Sequence, residues 1–218
     1  MGKKVHPYIF RLGPLYTWKS RWFANKHDYQ DFLLEDIQLR TFLMDKLKNA
    51  GVVNIEIERS IKTIKITIFV SRPGVVIGRG GSGLEILNKE IKSKLNIKDN
   101  DPKAIKVDIK VEEVKNPDMQ AFLIARRIAD QLVGRYPHRR AVNQALDRAM
   151  ESGAKGIKIQ LSGRIGGAEI ARVEKYSRKS IPTQSLRSDI DYAEVPSLTR
   201  SGYVGIKVWV YKGEKQLR

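Results

Sequence analysis

Apolar residues recur along this chain with two periods, and the switches between them outline its elements. Leu39, Phe42, Leu43, Leu47 and Ala50 share one helical face, so residues 31–50 are predicted as a helix that Gly51 stops. Residues 55–59 and 64–70 alternate at period two and are predicted as strands joined by a tight turn. Val75, Val76 and Ile77 form a short apolar run that breaks into glycine at residue 78. Leu84, Leu87, Ile91 and Leu95 then return at helical spacing, and residues 104–111 alternate again as a third strand. Asn116-Pro117-Asp118 reads as a cap with proline at the first helical position, and marks a boundary. Beyond it, Ala121, Ala125, Ile128 and Leu132 stack on one face, and a second helix starts near Pro137 with Ala141, Val142, Ala145, Leu146 and Ala149 in an apolar arc. Strands are predicted at 157–162, 169–176, 186–192 and 203–211, with a turn at 163–167. The result is an α+β chain in three parts: a leading arm (1–28), a first domain (29–114) and a two-helix, about four-stranded second domain (115–218).

The glycine cluster is the first candidate site. Gly78 and Gly81 free the backbone to approach another molecule and expose N–H groups where a helix begins, which suits a phosphate. Gly78-Arg79-Gly80-Gly81 between two helical segments resembles the loop of the KH module, which clamps a nucleotide backbone. The order helix, strand, strand, helix, loop, helix, strand is that of the type II KH fold, with helices on one face of a three-stranded sheet. Two other readings compete. Gly78-x-Gly80-x-x-Gly83 satisfies a dinucleotide fingerprint, and the glycines also suit a plain turn. The dinucleotide reading needs a strand directly before the first glycine and an acidic residue closing a second strand. Arg72-Pro73-Gly74 interrupts the lead-in, and Asp99 and Asp101 lie in a polar turn.

Charge sharpens the picture. Lysine and arginine number 41 against 24 aspartate and glutamate, a net +17 in 218 residues. Both halves are basic, with 21 against 14 up to residue 114 and 20 against 10 after it. Such an excess favours polyanions, with nucleic acid the default partner and an anionic membrane the runner-up. Residues 1–26 carry six basic residues and no acidic one, interleaved with Tyr8, Phe10, Tyr16, Trp18, Trp22 and Phe23. That stretch suits RNA, and it equally suits a strap whose rings cover its own domain. Arg139, Arg140 and Asn143 fall opposite the apolar arc of their helix, with Arg135 and His138 alongside, a patch that suits phosphates as well as plain solvation.

Several chemistries find no support. Cysteine is absent, and His6, His27 and His138 are too scattered for a metal set. There is no P-loop or serine nucleophile elbow, and no apolar stretch approaches the ~20 residues a membrane helix needs. Asp189 and Asp191 sit two apart and could suggest acid–base or metal work, but Arg187 and other basic residues nearby favour a structural ion pair. The expectation is no enzyme, no metal and no cofactor.

Longer blocks carry a wider resemblance. They are 1–7 (Met-Gly-Lys-Lys-Val-His-Pro), 11–13, 22–24, 72–78, 162–172 (Ser-Gly-Arg-Ile-Gly-Gly-Ala-Glu-Ile-Ala-Arg), 186–192 and 207–214, and they span the chain. Together they resemble the family of the third protein of the small ribosomal subunit, in its bacterial form. The resemblance implies a cytoplasmic ribosomal protein, outside any membrane and not a homo-oligomer. It would sit in the subunit head against ribosomal RNA and neighbouring proteins, where messenger RNA enters, and help to unwind structured messenger without hydrolysing nucleotide. Expected RNA contacts are Gly78, Arg79, Gly80 and Gly81, with Arg72, Lys3, Lys4, Arg11, Arg164 and Arg172. Expected messenger contacts are Arg139, Arg140 and Asn143, with Arg135 beside them. Asn143 stands where the family normally has lysine, and the glycine loop keeps one of two usual charges. A free KH-type RNA regulator and a nucleotide-dependent enzyme are the alternatives.

Overall fold

The computed structural model describes residues 5–95 and 106–215. Lys3, Lys4, the polar turn with Asp99 and Asp101, and the first residues of the strand expected at 104 lie outside the described residues. In chain order the elements are α1 (Pro7–Phe10), β1 (Ser20–Arg21), α2 (Tyr29–Lys46), β2 (Val52–Arg59), β3 (Thr63–Val70), α3 (Pro73–Ile77), α4 (Ser82–Lys94) and β4 (Lys106–Glu113). They continue with α5 (Ala121–Val133), α6 (His138–Glu151), β5 (Gly156–Gly163), β6 (Arg172–Arg178), β7 (Ser188–Thr199) and β8 (Gly202–Glu214). The chain folds as two units, one of residues 18–115 and one that joins the segment before residue 18 to residues 116–218.

In the first unit β2 and β3 pair antiparallel, β4 adds parallel to β3, and the two-residue β1 adds parallel to β2. Leu39 and Leu43 of α2 and Leu87 and Ile91 of α4 close onto Ile57, Ile66 and Ile68 of the sheet. This is the type II KH arrangement, widened by β1. The helix expected to run to residue 50 ends at Lys46, and one 3₁₀ turn continues to Ala50 before left-handed Gly51. Asp36, buried in α2, explains why residues 20–22 lie on this unit. Its carboxylate accepts from Ser20 Oγ (2.9 Å), Trp22 Nε1 (2.8 Å) and the Arg59 guanidinium (2.6 Å). Trp22 is thus an internal strut.

In the second unit the sheet order is β6-β5-β8-β7, antiparallel throughout. The alanine-rich faces of α5 and α6 share one core with Ile157, Ile159, Ile206 and Val208. The proline expected at the first helical position instead opens a 3₁₀ turn (Pro117–Met119), and α5 begins at Ala121. Its cap comes from far away, for the Ala121 N–H donates to Asp191 Oδ2 on β7 at 2.9 Å. Asp191 also faces Lys212 at 3.4 Å, while Asp189 accepts from the Tyr16 hydroxyl at 2.5 Å and pairs with Lys215 at 2.6 Å. The two aspartates are structural, with Lys212 and Lys215 as partners in place of Arg187.

Candidate nucleic-acid interface

In the first unit, α3 ends as the backbone turns positive at Gly78 (φ 70°), and Gly80 (φ 62°) and Gly81 (φ 84°) carry the chain round into α4. A Cβ on Gly78 would lie 2.9 Å from the Gly83 nitrogen, and one on Gly83 would lie 2.5 Å from the Val76 carbonyl oxygen. The start of α4 therefore sits directly on the end of α3, at a distance only hydrogen side chains permit. Gly83, the residue that completed the competing dinucleotide fingerprint, is explained by this contact. A one-turn helix, not a strand, precedes Gly78, so the strand–turn–helix that the fingerprint needs is missing. Arg72 and Arg79 are exposed beside the loop. Val75, Ile77 and Ile86 leave an apolar patch next to it. The Gly78 N–H, expected to face a phosphate, is instead donated to the Gly74 carbonyl at 3.0 Å, which leaves that role to the amides of residues 79–81. Amide donors, a guanidinium and an apolar surface are the groups that hold a phosphate and a base.

In the second unit, α6 buries Ala141, Val142, Ala145, Leu146 and Ala149 and turns Arg139, Arg140 and Asn143 to solvent. The Arg140 guanidinium lies 5.6 Å from the Tyr136 ring centroid. His138 Nε2 is 3.1 Å from Glu174 Oε2 on β6. Glu174 also accepts from the Tyr176 hydroxyl at 2.5 Å and pairs with Arg172 at 2.7 Å. The Tyr176 hydrogen bond, with His138, Arg172 and Arg139, holds the Glu174 carboxyl below the usual glutamate value of 4.5. Arg172 is therefore half-committed to the fold while keeping an exposed side.

Other expected contacts fare differently. Arg164 spans two turns, donating to Ala168 O at 2.9 Å and Ser201 O at 3.4 Å. Arg11 corrects the expectation placed on it: its side chain is wholly buried. The guanidinium donates to the carbonyls of Ser188 (2.6 Å), Pro7 (2.9 Å), Thr183 (2.8 Å) and Ser185 (3.0 Å), which takes four of its five N–H groups and holds it inside the fold, out of reach of a phosphate. Around it Tyr8 stacks on Tyr16 at 4.7 Å, and His6 meets Tyr192 edge-on at 4.7 Å. Residues 5–17 thus form a strap on their own unit. Sequence reasoning missed Arg200, in the β7–β8 hairpin, and its signal was only a basic residue in a tight turn. It lines a hollow of about 350 Å³ together with Arg135, Arg164, His138 and Tyr136.

Known proteins agree with both units. A model of the KH domain matches residues 38–119, and one of the ribosomal protein S3 C-terminal domain matches residues 128–210. The small ribosomal subunit protein uS3 of Caldicellulosiruptor saccharolyticus is 50% identical over 214 residues, 98% of this chain and 93% of that protein. The protein of the same name from Bdellovibrio bacteriovorus is 49% identical over 98% of this chain and 93% of its own length. That of Persephonella marina is 46% identical over 99% and 92%. At 46–50% identity over nearly the whole of both chains, the chain belongs to the uS3 family of small ribosomal subunit proteins.

Proposed function

We propose that this protein is a structural, RNA-binding constituent of the small ribosomal subunit whose second unit borders the path of incoming messenger. Membership of the uS3 family carries the first half: a ribosomal, non-enzymatic protein that binds ribosomal RNA and, in bacteria, works in the cytoplasm. The second half rests on one observation. The exposed face of α6 gathers Arg139, Arg140 and Asn143, with no carboxylate until Asp147. Two guanidiniums and an amide on a firm helix can hold the backbone of a single strand and resist its re-pairing, with no nucleotide hydrolysis. Asn143 supplies a donor without a charge, so the grip has one electrostatic contact fewer than with lysine. The glycine loop, with Arg72 and Arg79, serves ribosomal RNA, and neighbouring head proteins complete the surroundings.

Sedimentation of native lysate through sucrose tests the ribosomal half. The protein is expected with small subunits and whole ribosomes after a high-salt wash, and its release to the top of the gradient by modest salt would favour a free RNA regulator. For the messenger half, subunits carrying Arg139→Ala with Arg140→Ala should assemble normally and open structured messenger more slowly. Opening at the wild-type rate would remove messenger from the reading.

A further inference from the structure

Three turns of the second unit converge on the hollow introduced above. The α5–α6 turn brings Arg135, Tyr136 and His138, the β5–β6 turn brings Arg164, Ile165, Gly166 and Gly167, and the β7–β8 hairpin brings Arg200 and Ser201. Its floor is apolar, from Leu132, Ile165 and Val204, and no carboxylate is among its lining residues. The guanidiniums of Arg135 and Arg200 make no ion pair among the described residues. Arg135 carries a second signal. Its backbone is left-handed (φ 58°) just after the C-terminus of α5, where glycine is the usual occupant, while the neighbouring Gly134 keeps an ordinary φ of −72°. A strained arginine beside an unstrained glycine trades backbone comfort for a cation at the rim. By contrast, the hollow of about 500 Å³ in the first unit, around Phe23, Phe32 and Ile61, has Asp28 and Glu35 in its lining, and its one cation, Arg59, is already paired with Glu35 and Asp36.

We propose that this basic hollow receives one unpaired nucleotide of an RNA strand. Its phosphate would lie on Arg135 and Arg200, with Arg164 bracing the two turns. Its base would lie against Tyr136 and the apolar floor. About 350 Å³ lies within the size range of small-molecule sites and suits a single nucleotide. A base in an apolar, aromatic-walled site with arginines at the mouth is the ordinary chemistry of single-strand recognition. The proposal rests on the RNA-binding reading and deepens it, adding Arg200 and a base-sized site to a surface otherwise made of phosphate contacts.

The test uses the purified full chain and a short single-stranded RNA carrying 2-aminopurine, read by fluorescence and by affinity across a salt series. Three variants address the hollow: Arg135→Gly, which removes the cation and relieves the backbone; Arg200→Glu; and Ser201→Trp, which fills the space without changing charge. Lys89→Ala, on the exposed side of α4, is the single-charge control. Arg135→Gly is expected to lower affinity about fivefold and Arg200→Glu about tenfold, each beyond the control. Ser201→Trp should abolish the 2-aminopurine signal while leaving the salt slope near wild type. Circular dichroism should show all three folded, with Arg135→Gly melting no lower than wild type. If the hollow variants match the control, the proposal is overturned and general RNA binding stands. If wild type binds no RNA, the RNA-binding reading falls with it. Should uridine monophosphate displace the signal as well as excess RNA does, the site takes a free nucleotide and the RNA assignment is overturned.

Discussion

The glycine loop and the α6 face, the two proposed RNA contacts, would work by opposite means. The loop offers backbone donors, and its shape depends on Gly78 and Gly83 having no Cβ. The α6 face offers side-chain cations on an alanine-packed helix, pinned to β6 through Glu174. The first is a device of geometry that a methyl group breaks; the second is a device of charge, broken by neutralisation and by salt. The variants below separate them.

The largest effect is expected where a basic residue serves neither device. Arg11→Ala leaves four backbone carbonyls inside the strap without their donor, a loss of about 3–4 kcal/mol at roughly 1 kcal/mol per orphaned group. Chemical denaturation should show it in the second unit, and the RNA affinity of the folded remainder should be unchanged. Next comes Gly83→Ala, whose methyl would meet the Val76 carbonyl oxygen at 2.5 Å. We expect about 2–3 kcal/mol of destabilisation confined to the first unit and the loss of loop-mediated binding, both visible by hydrogen exchange. Unchanged protection in α3 and α4 would show that the close contact yields easily.

Arg139→Ala with Arg140→Ala should leave the melting temperature within about a degree and lower RNA affinity about tenfold at low salt. The slope of affinity against salt should fall by about 1.4, two single-strand contacts at roughly 0.7 each. The smallest effect concerns pH. Because the Glu174 carboxyl is held below 4.5 in the folded protein, chiefly by the Tyr176 hydroxyl, the stability it contributes is present above that pH. It is lost as pH falls through the lowered value. Glu174→Gln should make the melting temperature of the second unit less sensitive to pH below 4.5, and an unaltered acid profile would remove Glu174 from this role.

Much of the fold was legible because its signals are local. Period-two runs at Ile55–Ile57 and Ile64–Val70, the stop at Gly51 and the alanine faces of α5 and α6 each depend on residues within one element. Departures arise where the deciding partner is distant. The start of α5 is set by Asp191, 70 residues away, so the nearer proline was the misleading cue. β1 has two residues and no period to read. At the site, Arg139, Arg140 and Asn143 emerged on the expected face because helical geometry alone fixes it. Arg11 sits in a basic stretch that resembles an RNA arm, and only the fold brings its carbonyl partners around it. Arg200 belongs to no pattern and gains meaning from the turns that meet it.

The strap has a consequence for how the protein is made. Arg11 is synthesised 177 residues before Ser188, its nearest carbonyl partner. At typical elongation rates of 5–20 residues per second, that separation is about 9–35 s. The whole of the first unit is made within that interval from one continuous stretch. It can fold while the strap waits, so the second unit is finished last, when its earliest-made segment is captured by its latest strands.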